Sequence, residues 1–126
     1  MPLDEADLKH LWDMLRAARS AQNIIAGVSQ EQYLRDEIRR FALERAIEII
    51  GEAARRVSER SRSQIPLEWG AIIATRHIVA HEYDTIQHDT LWRIATLHIP
   101  EMIQVLAPVI DSNPPGPEAA KDIAEP

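Results

Sequence analysis

An arginine, two histidines and a tyrosine crowd the stretch "TRHIVAHEYD" at 75–84, in a chain that is otherwise apolar and acidic. Three chemistries compete for it. As a metal site, His77 and His81 stand four apart on one helical face, with His88, Glu82 or Asp84 as a third ligand, but the H-x-x-x-H pattern lacks the internal glutamate of zinc proteases. As a structural element, Arg76 and the histidines serve a helix C-terminus, where the dipole favours cations, and Tyr83 is a half-buried ring bonded to a neighbouring carboxylate.

As a catalytic site, Arg76 pairs with His81. Histidine moves protons near neutral pH, and arginine is a permanently charged, forked partner for phosphate oxygens. Together they suit cleavage of RNA: a base takes the 2′-OH proton, the alkoxide attacks phosphorus, an acid protonates the leaving 5′-oxygen, and arginine stabilises the phosphorane. DNA, lacking the 2′-OH, would resist. Five residues turn through about 500° on an ideal helix, which leaves the two side chains roughly 140° apart. A shared site therefore needs the helix to end or distort between them, or a second chain across a twofold axis.

The elements that would position these residues read as helices. From Asp4, a candidate N-cap, apolar residues recur at three and four through Leu8, Leu11, Leu15 and Ile25, and Gly27 ends the run. Ser29 and Gln32 have capping-box spacing, and Leu34, Ile38, Phe41, Ile49, Ala53 and Val57 hold one face of a single helix running to about Ser58, roughly 45 Å at ~1.5 Å per residue. Its wide apolar stripe fits burial between two helices of its own chain or a dimer interface equally well. "SERSRSQ" reads as a polar linker, and a short third helix follows Pro66 and carries the motif. Asp89 can cap a fourth helix, which Pro100 would kink or divide. The expectation is an all-α, antiparallel bundle of four to five helices over 1–110, with a flexible acidic, Pro-rich tail at 111–126.

Composition narrows the function classes. The chain has 126 residues, room for one domain, and no cysteine, which excludes disulfides and thiol chemistry. No apolar run looks long enough to span a membrane, and the acidic N-terminus is unlike a secretory signal, so a cytoplasmic location is expected. A net charge of −6 gives no reason to expect tight nonspecific binding to nucleic acid; Arg55, Arg56, Arg60 and Arg62 form the one candidate basic patch.

The motif R-x-x-x-x-H-x-Y (Arg76, His81, Tyr83) resembles that of the HEPN superfamily, and within it the HepT-like group of small ribonuclease toxins. "YLRDEIRRFALERAIEIIGEAARRVS" resembles that family's long second helix, "IPLEWGAIIATRHIVAHEYD" its motif helix and "LWRIATLHIPEMIQVL" the helix that follows, so the likeness spans roughly residues 5–107. His77 departs from the pattern by standing where a small polar residue, frequently asparagine, follows the arginine.

The resemblance implies a HEPN-like, homodimeric, metal-independent RNA endonuclease without a cofactor, the toxin of a type VII-like toxin-antitoxin pair. Carried over residue by residue, Arg76 and His81 are catalytic, and Tyr83 accepts AMP from an MntA-like minimal nucleotidyltransferase antitoxin. His77 becomes a secondary RNA or phosphate contact, or else a structural helix-end residue. Glu52, in "IGEAA", either orients the site or salt-bridges Arg55 or Arg56. The competing reading is a non-catalytic helical module that binds the nucleotidyltransferase or a nucleotide, with Arg76 and His81 as anion contacts.

Overall fold

A computed structural model describes the backbone of residues 3–81 and 85–113, and side chains within that range except at 77–81 and 85–87. Its elements are α1 (Glu5–Ile25), α2 (Gln30–Arg35), α3 (Glu37–Arg56), α4 (Glu59–Arg62), α5 (Trp69–His81), α6 (Thr85–Arg93), a π-helical segment (Ile94–His98) and α7 (Ile99–Ser112). No strand occurs among the described residues, and the fold is the expected all-α bundle. The tail at 114–126 lies outside the described residues.

α1 buries Leu11, Met14, Leu15, Ala18 and Ala21 along one side. The alanines on that side let α3 approach closely, and α3 in turn packs between α1 and α5 while α7 closes the other flank of α1. Gly27, with φ 72°, takes the left-handed conformation that ends α1, as its position in the sequence predicts.

The single long second helix expected from periodicity is two helices. The capping box forms: the Gln32 amide donates to Ser29 Oγ at 3.1 Å, and the Ser29 amide donates to Gln32 Oε1 at 2.9 Å. After the six residues of α2 the chain breaks at Asp36, whose extended backbone (φ −106°, ψ 96°) interrupts the helix and whose Oδ1 accepts from the Arg39 amide at 3.1 Å, restarting it as α3. Arginines then close the exposed carbonyl ends. Arg39 donates to Ile24 O at 2.6 Å, Arg40 donates to Leu34 O, and Arg62 donates to Ala54 O and Arg55 O at 3.1 and 2.9 Å, ending α1, α2 and α3 respectively.

The "SERSRSQ" segment is structured too. Ser58 caps the one-turn helix α4, and buried Asp7 of α1 accepts hydrogen bonds from the Ser58 amide (3.0 Å), Ser58 Oγ (2.6 Å) and Ser61 Oγ (2.6 Å). Burial pushes the Asp7 carboxyl up, but these hydrogen bonds outweigh it and hold the group below its ordinary range.

Asp89 is not an N-cap. α6 already starts at Thr85, and Asp89 Oδ1 accepts from Gln30 Nε2 of α2 at 3.2 Å instead. Nor does Pro100 divide the last helix. The turn before it widens into the π segment, where the Ile99 amide donates to Ile94 O, five residues back, so the missing proline N–H is absorbed without a break. The resulting continuous helix, His88–Ser112, is long and apolar enough by length and composition alone to cross a membrane, a test that core helices also pass. In this molecule one side of it, through Leu91, Ala95, Ile99, Leu106 and Ile110, is buried in the core.

Candidate active site

The motif arginine is positioned by a close approach of α3 and α5. Gly51 is buried at that crossing, and a methyl group placed on it would stand 3.4 Å from Ile72 O and 3.5 Å from both Thr75 Oγ1 and Arg76 Cβ. A residue no larger than alanine at position 51 thus lets α3 and α5 approach closely enough for the next residue, Glu52, to reach α5. Arg76 Nε lies 3.1 Å from Glu52 Oε2.

Glu52 holds two more guanidinium groups through its other oxygen: Arg55 at 2.7 Å and Arg56 at 3.4 Å from Oε1. The two roles weighed for Glu52 from the sequence are therefore not exclusive in geometry, since it bridges its own helix to the motif helix. The hydrogen bond from Arg55, and then the charges of Arg55, Arg76 and Arg56, keep the Glu52 carboxyl below its ordinary range against a smaller opposing effect of burial. Three cations on one carboxylate leave this corner positive. With Nε engaged, Arg76 keeps the two terminal nitrogens of its fork for another anion.

Arg76 and Glu52 line a surface groove of about 500 Å³. Lys9 and His10 of α1 and Arg45 and Arg56 of α3 line it as well. Sequence reasoning missed Lys9, His10 and Arg45. Lys9 sits four residues from Asp13, 3.8 Å away, and Arg45 pairs with Glu48, so each looks locally like an ordinary solvated helix pair. Only the packing of α1 on α3 sets them on the same groove as Arg76.

The candidate basic patch divides: Arg55 and Arg56 join the Glu52 cluster, whereas Arg60 and Arg62 are committed elsewhere. Arg62 caps α3 and lies over the Trp69 ring at 5.8 Å, and Arg60 stands 3.8 Å from Asp4. His88, a candidate third metal ligand, is half-buried with Nδ1 3.6 Å from Glu44 Oε1 on α3.

The backbone of α5 is helical throughout from Trp69 to His81, so it neither ends nor breaks between Arg76 and His81. The two positions remain roughly 140° apart about the helix axis, as ideal geometry dictates. The His77 and His81 side chains lie outside the described residues, as do Glu82, Tyr83 and Asp84.

The family model described as Ribonuclease HepT-like matches residues 14–109, spanning α3, the motif and most of α7. The chain belongs to this HepT-like family. "Putative RNase MJ1380" of Methanocaldococcus jannaschii is 28% identical over 102 residues, covering 79% of this chain and 94% of that protein. "Putative RNase TTE0752" of Caldanaerobacter subterraneus is 31% identical over 81 residues, 62% of this chain and 70% of that protein. "Putative RNase MJ1216", also from M. jannaschii, is 24% identical over 102 residues, with 79% and 84% coverage. No solved structure matches the chain.

Proposed function

We propose that this HepT-like protein is a metal-independent endoribonuclease that works as a homodimer and is the toxin of a toxin-antitoxin pair. The observation that carries this reading is the Glu52–Arg76 ion pair lining a cationic groove, on a helix that runs unbroken to His81. Glu52 orients Arg76, and the free edge of the guanidinium receives the scissile phosphate. His81 acts on the protons: one copy accepts the 2′-OH proton, the other donates to the departing 5′-oxygen. The alkoxide displaces that oxygen at phosphorus, leaving a 2′,3′-cyclic phosphate on one fragment and a 5′-hydroxyl on the other. Because Arg76 and His81 lie on different sides of one helix, two copies meeting across a twofold axis complete the set.

Tyr83, two residues beyond His81, accepts AMP from a minimal nucleotidyltransferase: its phenolic oxygen attacks the α-phosphorus of ATP and pyrophosphate leaves. The added anionic nucleotide blocks the cleft and repels RNA phosphates.

Cleavage of RNA by the purified protein in excess chelator tests the central claim. Wild type is expected to cut, and His81→Ala to lose activity by at least about a hundredfold, the usual contribution of a general acid or base. Equal activity in the two proteins overturns the assignment. Incubation with the partner nucleotidyltransferase and ATP is expected to raise the intact mass by about 329 Da per AMP, the composition-derived mass of one added unit. A Tyr83→Phe variant that gains the same mass refutes the acceptor site.

A further inference from the structure

The groove extends well beyond the reach of Arg76. From Arg45 to Arg56, α3 spans about 16 Å at ~1.5 Å per residue, and Lys9 and His10 face the same space from α1. Its fixed charges are four cations (Lys9, Arg45, Arg56 and Arg76) against the carboxylates of Asp13, Glu48 and Glu52. Each carboxylate lies beside a cation, and Glu52 collects Arg55 in addition, so the balance in and around the groove is positive on a chain whose net charge is −6. A local excess of cations on an acidic chain favours an anion at this groove over the rest of the surface on average.

We propose that this groove is the track for single-stranded RNA flanking the scissile phosphate, with Arg45 contacting a backbone phosphate on one side of Arg76 and Lys9 contacting one on the other, where Asp7 and Ser58 hold the start of α1 against the end of α3. The identity of the ligand as RNA rests on the ribonuclease reading; the location of the contacts does not. An extended strand lying in it would run from Arg45 past Glu52 and the motif arginine to Lys9 and Arg56. The half-buried imidazole of His10 offers a flat ring on which a base can stack. The existing ion pairs serve as holders. Lys9 and Arg45 are half-exposed and paired only with exposed or half-exposed acids, so exchanging a carboxylate for a phosphate costs little.

The test measures binding apart from cleavage. A fluorescent oligoribonucleotide carrying 2′-O-methyl groups, which cannot be cut, is titrated with wild type, with Lys9→Gln/Arg45→Gln, and with Arg19→Gln/Arg35→Gln, which removes the same charge from exposed positions outside the groove. Neither double variant touches the Glu52 cluster. Loss of two phosphate contacts to a single strand is expected to reduce the slope of log K against log salt by about 1.4 and to weaken binding roughly tenfold or more at low salt. The control pair should change the slope by less than half of that. Equal slopes for wild type and the groove variant, or equal losses in both variants, overturn the track, as does an absence of binding by wild type. Cleavage of unmodified RNA by wild type and His81→Ala is read separately. A groove-dependent affinity without cleavage keeps the track and removes the ribonuclease reading, whereas cleavage with no groove dependence does the reverse.

Discussion

Asp7 shows how much one side chain can hold. Buried on the first turn of α1, it accepts three hydrogen bonds from Ser58 and Ser61, tying α1 to the junction of α3 and α4. Its carboxyl is held below the ordinary carboxylate range, so the stability it contributes is present above the unfolded-state value near 3.9 and disappears as pH falls through the lower folded value. Asp7→Ala is expected to cost about 3 kcal/mol at neutral pH, since it removes charge-assisted bonds and strands buried donors. In urea titrations the gap between wild type and variant should narrow only below about pH 4. A gap that is constant from pH 7 to pH 2 would mean that ionisation of Asp7 is irrelevant to folding. Glu52 is a contrasting case, an accessible carboxylate whose partners are cations rather than buried hydroxyls, and its place is at the site rather than in the fold.

Among the elements, the crossing of α3 over α5 decides where Arg76 stands. A methyl group on Gly51 meets its neighbours at ordinary van der Waals distance, so Gly51→Ala should fold normally and gain up to about 1 kcal/mol in helix propensity. Gly51→Leu should push α5 away, cost about 2 kcal/mol by overpacking, and lower RNA cleavage by more than its loss of folded protein. Thermal unfolding together with activity per folded molecule checks both; a Leu variant with full specific activity would show that the close approach does not place Arg76. The helices themselves were legible because periodicity and the Ser29–Gln32 capping box are local signals. The break at Asp36 was not, since apolar spacing continues across it without glycine or proline, and the decisive features are a capping carboxylate and arginines reaching other helix ends. Pro100 was read as an interruption because its missing N–H is visible in sequence, whereas a π turn that absorbs the defect is not. Of the site, Arg76 and Glu52 stood out as individual residues, but their ion pair joins two helices and the cations of α1 join a third, which no spacing along the chain encodes.

At the scale of the molecule, packing of α3 between α1 and α5 accounts for most of its wide apolar stripe but not all of it. Ile38 and Phe41 remain 80% and 60% exposed, two turns and one turn before Arg45 at the groove. A second copy seated on these side chains would bury them and bring two motifs toward one another. Ile38→Asp/Phe41→Asp is expected to be monomeric at micromolar concentration by mass measurement and to lose RNA cleavage while remaining helical. A fully active monomer would remove the composite site, and an intact dimer would place the interface elsewhere. The π segment gives the whole chain a different kind of latitude, one of length. A π turn is an α-helix carrying a spare residue, so a chain shorter by one position within 94–98 could close into regular helix and keep the apolar side of α7 on the core. The same loss farther along, between Met102 and Leu106, would rotate Leu106 and Ile110 by about 100° away from α1. Loss of a residue along the last helix is therefore best absorbed within Ile94–His98.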